Sequence, residues 1–136
     1  MLPYILLADA DARTCDSFAA ELDRRIAYAT VCTVEDGQSF LGFLAKRNWK
    51  DLPSMILVNI DLPDTKAPDL LRELLTDERY LTIPKLVWGP DGRKREMDEC
   101  MVLGVKKYLQ KPDDSIALGD IVRQIDSMMK AELQIA

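Results

Sequence analysis

Short apolar segments alternate with helix-like segments along the whole chain, and this alternation limits the possible folds more than any other feature. Tyr4–Ala8 is wholly apolar and Ser54–Val58 nearly so, which is typical of central parallel strands covered on both faces. Strict alternation of strands and helices predicts a parallel sheet with helices on both of its faces. Because the crossovers between parallel strands are right-handed, few strand orders remain.

We predict an α/β fold with a flavodoxin-like, doubly wound sheet of five parallel strands in the order 2-1-3-4-5 and helices on both faces. A sheet of this order has its site at the carboxyl ends of strands one and three. Asp11 is a candidate N-cap, Gly104 is a typical residue after a helix end, and Trp88 is expected to pack in the core or at its rim. The predicted strands are Tyr4–Ala8, Thr30–Val34, Ser54–Val58, Lys85–Trp88 and Lys106–Gln110. The predicted helices are Asp11 to about Arg25, Gln38–Arg47, Asp69–Asp77 with Pro68 in the first turn, Arg93–Leu103 and Ser115–Lys130.

The composition is that of one folded domain. With 136 residues, of which 48% are hydrophobic, the chain is large enough for a hydrophobic core, and we expect a single domain over residues 1–136 with no room for an output domain. The formal net charge of −5 argues against nucleic-acid binding, which needs clustered Lys and Arg. No apolar run approaches the roughly 20 residues of a membrane helix. Cys15, Cys32 and Cys100 are expected to be reduced, which predicts a cytoplasmic protein.

A set of polar and turn-forming residues stands at or beside the predicted carboxyl ends of the strands. In chain order they are Asp9-Ala10-Asp11 after strand one, Asn59 and Leu62-Pro63 after strand three, Gly89 after strand four, Tyr108 in strand five, and Lys111-Pro112 directly after it. With these residues at this spacing, the chain resembles a bacterial response-regulator receiver domain of the chemotaxis-regulator type, over essentially its whole length. Pro112 matches a proline that in this family follows a cis peptide bond.

The resemblance implies a degenerate member of the family, a pseudo-receiver. In the family, the aspartate that accepts a phosphoryl group stands where this chain has Asn59, and an acid that ligates Mg²⁺ directly stands at the position of Ala10. A threonine or serine that binds the phosphoryl group stands at the position of Gly89. Asp9 matches the first of the family's paired acids, and Lys111 matches the lysine that contacts the phosphoryl group.

The chemistry of these positions predicts that the phosphoryl-transfer reaction is lost. The amide of Asn59 has no anionic oxygen that could attack phosphorus and form an acyl phosphate. Mg²⁺ binds hard oxygen ligands and uses one or two carboxylates, of which only Asp9 remains in a matching position. Because phosphoryl transfer depends on positioning and on charge neutralisation, we expect no enzymatic activity, no catalytic residue and no Mg²⁺ cofactor.

We expect Asp9, Asn59 and Lys111 to converge at the carboxyl edge of the sheet. Lys111 could pair with Asp9 and donate a hydrogen bond to the side-chain oxygen of Asn59, which would satisfy the cluster without a metal. Two alternatives stay open. One is a cation held by Asp9, Asp11 and Asp61, with Asp9 and Asp61 as the first candidates; the other is Asp61 as a substitute phosphoacceptor.

The resemblance also implies an interaction surface. Receivers commonly bind partners or dimerise through helix four, strand five and helix five, where Tyr108 matches the aromatic switch residue of the family. The candidate contacts are Glu96, Glu99, Lys107, Tyr108, Asp120 and Arg123. The alternative is an ordinary solvated face with mixed charges.

Three functions follow as hypotheses. The leading one is an atypical receiver in phosphorelay (two-component) signal transduction, which is not phosphorylated and acts by contact with a protein partner or as a homodimer. The second is a conventional phosphoaccepting single-domain response regulator that uses unusual residues. The third is binding of a small ligand or a cation at the carboxyl edge of the sheet, which follows from analogy of fold alone.

Overall fold

The computed structural model describes residues 2–133, which form a five-stranded parallel sheet in the order β2-β1-β3-β4-β5. The predicted α/β, flavodoxin-like fold and its strand order are confirmed. The strands are β1 (Tyr4–Ala8), β2 (Thr30–Val34), β3 (Met55–Asn59), β4 (Lys85–Gly89) and β5 (Lys107–Gln110). The helices are α1 (Ala12–Arg25), α2 (Gly37–Ala45), α3 (Ala67–Leu74), α4 (Lys94–Val102) and α5 (Ser115–Leu133), with short 3₁₀ helices at Trp49–Asp51 and Glu78–Tyr80.

A hydrophobic layer covers each face of the sheet. On one face the sheet packs against α1 and α5, where Phe18 and Ile125 belong to the same buried cluster as Trp88. On the other face it packs against α2, α3 and α4, where Phe40 and Leu71 are central. Because both faces are covered, β1 and β4 are buried along their whole length, which explains the apolar sequence of β1 and of Leu86–Trp88 in β4. The buried ammonium of Lys85, the first residue of β4, donates hydrogen bonds to the backbone carbonyls of Tyr80 and Ile83.

Several helix ends differ from their predicted bounds, among them both ends of α4 and the C-terminal end of α5. Capping aspartates explain two of the differences, the start of α2 and the end of α3. Asp36 accepts a hydrogen bond from the backbone N–H of Ser39 at 2.7 Å, so α2 begins at Gly37. The helix ends at Ala45, before the predicted limit. The third helix begins earlier than predicted and ends at Leu74. Asp77, predicted as its last residue, accepts a hydrogen bond from the backbone N–H of Arg79 at 3.0 Å and caps a separate 3₁₀ helix.

Strands β3 and β4 each extend one residue beyond their predicted carboxyl ends. Asn59 and Gly89 are therefore the last residues of these strands. Asp11 caps α1 as predicted, accepting hydrogen bonds from the backbone N–H groups of Arg13 at 3.0 Å and Thr14 at 3.3 Å. The strand ends and this cap fix the backbone from which the functional side chains project.

Within residues 2–133, no helix is both long and apolar enough to cross a membrane. Cys15, Cys32 and Cys100 are free thiols. Burial is the main cause that raises the pKa of the Cys15 thiol, and likewise of the Cys100 thiol, to about 11. These two buried thiols are therefore protonated at neutral pH and poorly reactive.

Candidate functional site

The carboxyl edge of the sheet brings together the side chains that the sequence pointed to. Asp9 follows β1 directly, Asn59 ends the neighbouring strand β3, and Lys111 follows β5. Ala10 lies exposed beside Asp9 and supplies no polar side-chain atom. The edge therefore holds one acid, one amide and one lysine where the sequence predicted them.

Asp9 is the most buried charged residue of this edge, with a side chain that is only 1% exposed. Its Oδ1 accepts a hydrogen bond from the backbone N–H of Asp11 at 2.9 Å. Its Oδ2 lies 2.8 Å from Lys111 Nζ and accepts a hydrogen bond from Trp88 Nε1 at 3.0 Å. Both oxygens of the carboxylate are therefore engaged by donors of the protein.

Trp88 is the member of this cluster that sequence reasoning missed. It was expected to pack, and its ring is indeed fully buried, but its N–H also donates to Asp9. A buried indole N–H normally has a hydrogen-bond partner. This rule predicts that the Trp88 N–H has an acceptor, although it does not identify that acceptor as Asp9.

The expected ion pair between Lys111 and Asp9 is present, but the expected hydrogen bond from Lys111 to Asn59 is not found in the described structure. Asn59 Oδ1 instead lies 3.5 Å from the backbone N–H of Asp61, a long and weak contact. The ammonium group lies against the charged carboxylate because that contact is stronger than one with a neutral amide. The cis peptide bond implied for Pro112 is also not present, since no peptide bond within residues 2–133 is cis.

The carboxylates considered for a cation do not converge. Asp11 caps α1, and its hydrogen bonds, first of all that from the backbone of Thr14, lower the pKa of its carboxyl group. Asp61 lies in ion pairs with Arg93, at 2.9 and 3.0 Å, and with Lys66 at 2.6 Å. Hydrogen bonds from Arg93 and then from Lys66 strongly lower the pKa of Asp61. Asp9, Asp11 and Asp61 are thus each bound by different donors.

The residues of this edge do not make a ligand set for Mg²⁺, which the resemblance implies for an active receiver. Asn59 and Ala10 supply no anionic oxygen, and both oxygens of Asp9 face protein donors. The described part of the chain contains no cluster of three or more Cys, Asp or Glu side chains that could hold a metal. A cation with near-octahedral geometry has too few ligands here.

Gly89 leaves a space that two neighbouring side chains fill. A Cβ atom at this position would lie 2.4 Å from Ile60 Cγ2 and 2.5 Å from Tyr108 Oη, far closer than atoms can approach. The Tyr108 hydroxyl donates a hydrogen bond to the backbone carbonyl of Pro90 at 3.1 Å. In this arrangement a threonine or serine could not occupy position 89.

A cleft of about 350 Å³ opens on the surface formed by α4 and β5. Tyr108 is half-buried at this cleft, and burial is the main cause that raises its pKa.

Lys107 contacts Gln124, and Arg123 pairs with Asp120 on α5. Glu96 is bound by Arg93, whereas Glu99 pairs with Arg72 of α3. The cleft is lined by Pro90, Asp91, Gly92, Arg93, Lys94, Met97, Tyr108 and Gln110.

Comparisons with known proteins agree with this architecture, although no protein-family model matches the chain. The two-component response regulator ARR7 of Arabidopsis thaliana is 24% identical over 97% of this chain. The chemotaxis protein CheY of Pseudomonas aeruginosa is 25% identical over 89% of this chain and 94% of its own length. The chain spans 66% of the length of ARR7 and 64% of that of its Arabidopsis relative ARR15.

Solved structures of similar proteins show the same fold. The phosphorylated cyanobacterial phytochrome response regulator RcpA matches with a TM-score of 0.83 and 21% identity, over 95% of this chain and 94% of that protein. The Mn²⁺-bound response regulator Rcp1 matches with a TM-score of 0.80 and 21% identity, over 92% of each chain. The chain is therefore similar in sequence to response regulators and shares the fold of these receiver structures.

Replacing Lys111 by alanine is expected to lower the free energy of unfolding by about 1–3 kcal/mol, because it leaves the buried Asp9 carboxylate without its cation. Urea unfolding followed by circular dichroism measures the change. Lys94→Ala is the matched control, since Lys94 and Asp98 form an ion pair in open solvent and its loss should change little. Equal effects of the two substitutions would mean that Lys111 is not a structural partner of Asp9.

Replacing Gly89 by alanine is expected to lower the free energy of unfolding by about 1–3 kcal/mol, because the added methyl group overlaps Ile60 and the Tyr108 hydroxyl. In a Tyr108→Phe background, which lacks that hydroxyl, the same substitution should cost less. A double-mutant cycle by urea unfolding measures this coupling. If the two costs simply add, the Tyr108 hydroxyl does not occupy the space beside Gly89.

Proposed function

We propose that this chain is an atypical response-regulator receiver in phosphorelay (two-component) signal transduction that acts without being phosphorylated. In this proposal it is a cytoplasmic protein–protein interaction module and performs no enzymatic reaction. The observation that carries the proposal is the amide of Asn59 at the end of β3, at the position of the family's acceptor carboxylate. The names of the relatives, a two-component response regulator and a chemotaxis protein, support a role in signalling.

The retained charged groups of the pocket favour a structural role over a reactive one. A receiver lysine that contacts a phosphoryl group must be free to reach it. Here Lys111 is bound to Asp9 at 2.8 Å in a cluster that also contains the Trp88 indole. Binding a phosphoryl group would require this pair to break, which costs stability because Asp9 is buried.

Asp61 is the alternative acceptor, and its contacts do not favour that role. An acceptor must present an unshielded oxygen to phosphorus. Both oxygens of Asp61 receive hydrogen bonds from Arg93, and Oδ1 receives a further one from Lys66. These cations stabilise the carboxylate and so weaken it as a nucleophile. Phosphorylation at Asp61 remains the second hypothesis, and it has a direct test.

The surface of α4 and β5 is the interface that we propose. Its cleft combines the Tyr108 ring with the half-buried side chain of Met97, while Lys94 and Gln110 stand exposed at its rim. Interfaces are commonly anchored by an aromatic residue in a pocket with a polar surround. We propose that the cleft accepts an apolar side chain of a protein partner, with a second copy of this chain as the alternative occupant.

Internal contacts hold this surface in one arrangement. The Tyr108 hydroxyl is bonded to Pro90, and Gly89 provides the space in which it lies. Arg93, at the start of α4, joins Asp61 of the β3–α3 loop to Glu96 of the helix, with an Nε–Oε1 distance of 2.5 Å to the latter. In the proposal, these contacts present the surface to its partner without a phosphoryl group.

Incubation of the protein with acetyl phosphate and Mg²⁺ is expected to add no phosphoryl group, because Asn59 has no nucleophilic oxygen. Intact-mass spectrometry under neutral, rapid conditions measures the product. A stoichiometric adduct would contradict the proposal. If that adduct is lost in Asp61→Asn, the hypothesis of a conventional phosphoaccepting regulator with Asp61 as acceptor replaces the proposal.

Tyr108→Ala is expected to weaken self-association or partner capture, because it removes the aromatic wall of the cleft. Tyr108 is half-buried and packs against the edge of the α2, α3 and α4 layer, while the fully buried residues of both layers are retained. Charge reversal at Lys107 or Arg123, both exposed, should act in the same direction. Light scattering and pull-down from host extract, with circular dichroism to verify folding, measure the effects. Arg24→Glu on the exposed face of α1 is the control for a change of charge alone. Unchanged binding in all three variants, with a loss in Arg24→Glu, would move the interface to α1.

A further inference from the structure

We infer that Trp88 keeps divalent cations out of this pocket. Its indole N–H occupies an oxygen of the Asp9 carboxylate, so the site excludes these cations even when carboxylates are introduced at positions 10 and 59. This inference goes beyond the proposed function, which concerns the acceptor and the partner. It shares the pocket with that function but rests on a separate contact, the hydrogen bond between Trp88 Nε1 and Asp9 Oδ2 at 3.0 Å.

The hydrogen bond crosses the sheet. Trp88 is in β4 and Asp9 follows β1, with β3 between them. Neighbouring strands lie about 4.8 Å apart, so the side chain bridges roughly 10 Å. In the register of β3 and β4, Trp88 stands opposite Asn59. The indole must therefore extend past the acceptor-equivalent position to reach Asp9, and few side chains other than tryptophan are long and rigid enough to do so.

The indole is fixed in its orientation. Its ring packs edge-to-face on Phe18 of α1, with ring centroids 5.7 Å apart and an angle of 89° between the planes. Both Trp88 and Phe18 are fully buried. The N–H cannot turn toward water, and without Asp9 it would be a buried donor lacking an acceptor, which costs stability. Packing and hydrogen bonding thus act together to hold the Trp88 indole against the Asp9 carboxylate.

The two donors on Asp9 Oδ2 differ in how easily they can be displaced. Lys111 is 23% exposed and has a flexible side chain, so a cation could push its ammonium group into solvent. The Trp88 side chain cannot move into solvent in this way because the core encloses it. Mg²⁺ and similar cations keep several bound waters and need room for them, whereas the Asp9 side chain is 1% exposed. Trp88 is therefore the contact that a cation cannot remove.

The test compares cation binding by two restored variants. One carries Ala10→Asp and Asn59→Asp, and the other carries Trp88→Phe in addition, which keeps the ring packing and deletes the N–H. Mn²⁺ is the probe, since it prefers carboxylate and water oxygens as Mg²⁺ does, and its free form is counted by electron paramagnetic resonance. We expect the triple variant to bind Mn²⁺ at least about tenfold more tightly than the double variant.

Trp49→Phe in the double background is the matched control, because it makes the same exchange at an exposed tryptophan and should leave the affinity unchanged. Equal affinities of the double and triple variants, including no binding by either, would overturn the inference. So would an equal gain from Trp49→Phe. These titrations report the cation alone, so their outcome is independent of phosphoryl uptake by the unaltered chain, which tests the proposed function.

A second measurement covers the case in which the triple variant does not fold. In the ¹⁵N–¹H spectrum of the double variant, the Trp88 indole resonance should exchange slowly with solvent and should not move on addition of Mg²⁺. The exposed Trp49 indole provides the fast-exchanging reference in the same spectrum. Fast exchange of the Trp88 proton, or a shift of its resonance with Mg²⁺, would overturn the inference.

Discussion

The buried ion pair between Asp9 and Lys111 is the contact on which the carboxyl edge of this sheet depends. Removing a carboxylate from water costs several kcal/mol unless an opposite charge and hydrogen-bond donors replace its hydration. The chain supplies the Lys111 ammonium, the Trp88 indole and a backbone N–H, one from each of three places in the sequence. Within residues 2–133 no buried side-chain nitrogen or oxygen lacks a partner. The charge of Asp9 is thus compensated by the protein itself.

The same edge couples the pocket around Asp9 and Lys111 to the outer surface of the molecule. Gly89 ends β4 between the two, so the space that it leaves is filled from the surface side by the Tyr108 hydroxyl. Arg93 adds an ionic connection, since its guanidinium binds Asp61 in the β3–α3 loop and Glu96 on α4. Lys111 is paired with Asp9, and the Tyr108 hydroxyl donates to the backbone carbonyl of Pro90, so both side chains have partners within the chain.

The fold could be predicted from the sequence because it follows from local patterns: apolar runs, such as the one around Ile5 in β1, alternate with amphipathic helices, and strand order follows from handedness. The position of Asn59 at the sheet edge followed from the same pattern. The hydrogen bonds and ion pairs within the site could not be predicted from this pattern. Whether Trp88 reaches Asp9, or Arg93 reaches Asp61, depends on rotamers and on distances between residues far apart in sequence. The ion pair of Lys111 with Asp9 was predicted, whereas the predicted hydrogen bond from Lys111 to Asn59 was wrong, because an anion attracts an ammonium group more strongly than a neutral amide does.

Two sets of compensating contacts at the sheet edge support the interaction module that we propose over a receiver that has only lost reactive groups. A pocket that had merely lost reactive groups would keep a cavity and unpaired polar atoms, which cost stability. Here the absent side chain at Gly89 is matched by Ile60 and Tyr108, and the carboxylate of Asp9 is matched by Trp88 and Lys111. The contacts of Tyr108 with Pro90 and with the space beside Gly89 lie directly at the α4 and β5 surface. A rigid surface binds with less loss of conformational entropy than one that must be ordered by its partner. Under the proposed function, the contacts around Gly89 and Asp9 preorganise the face that we propose as the interface.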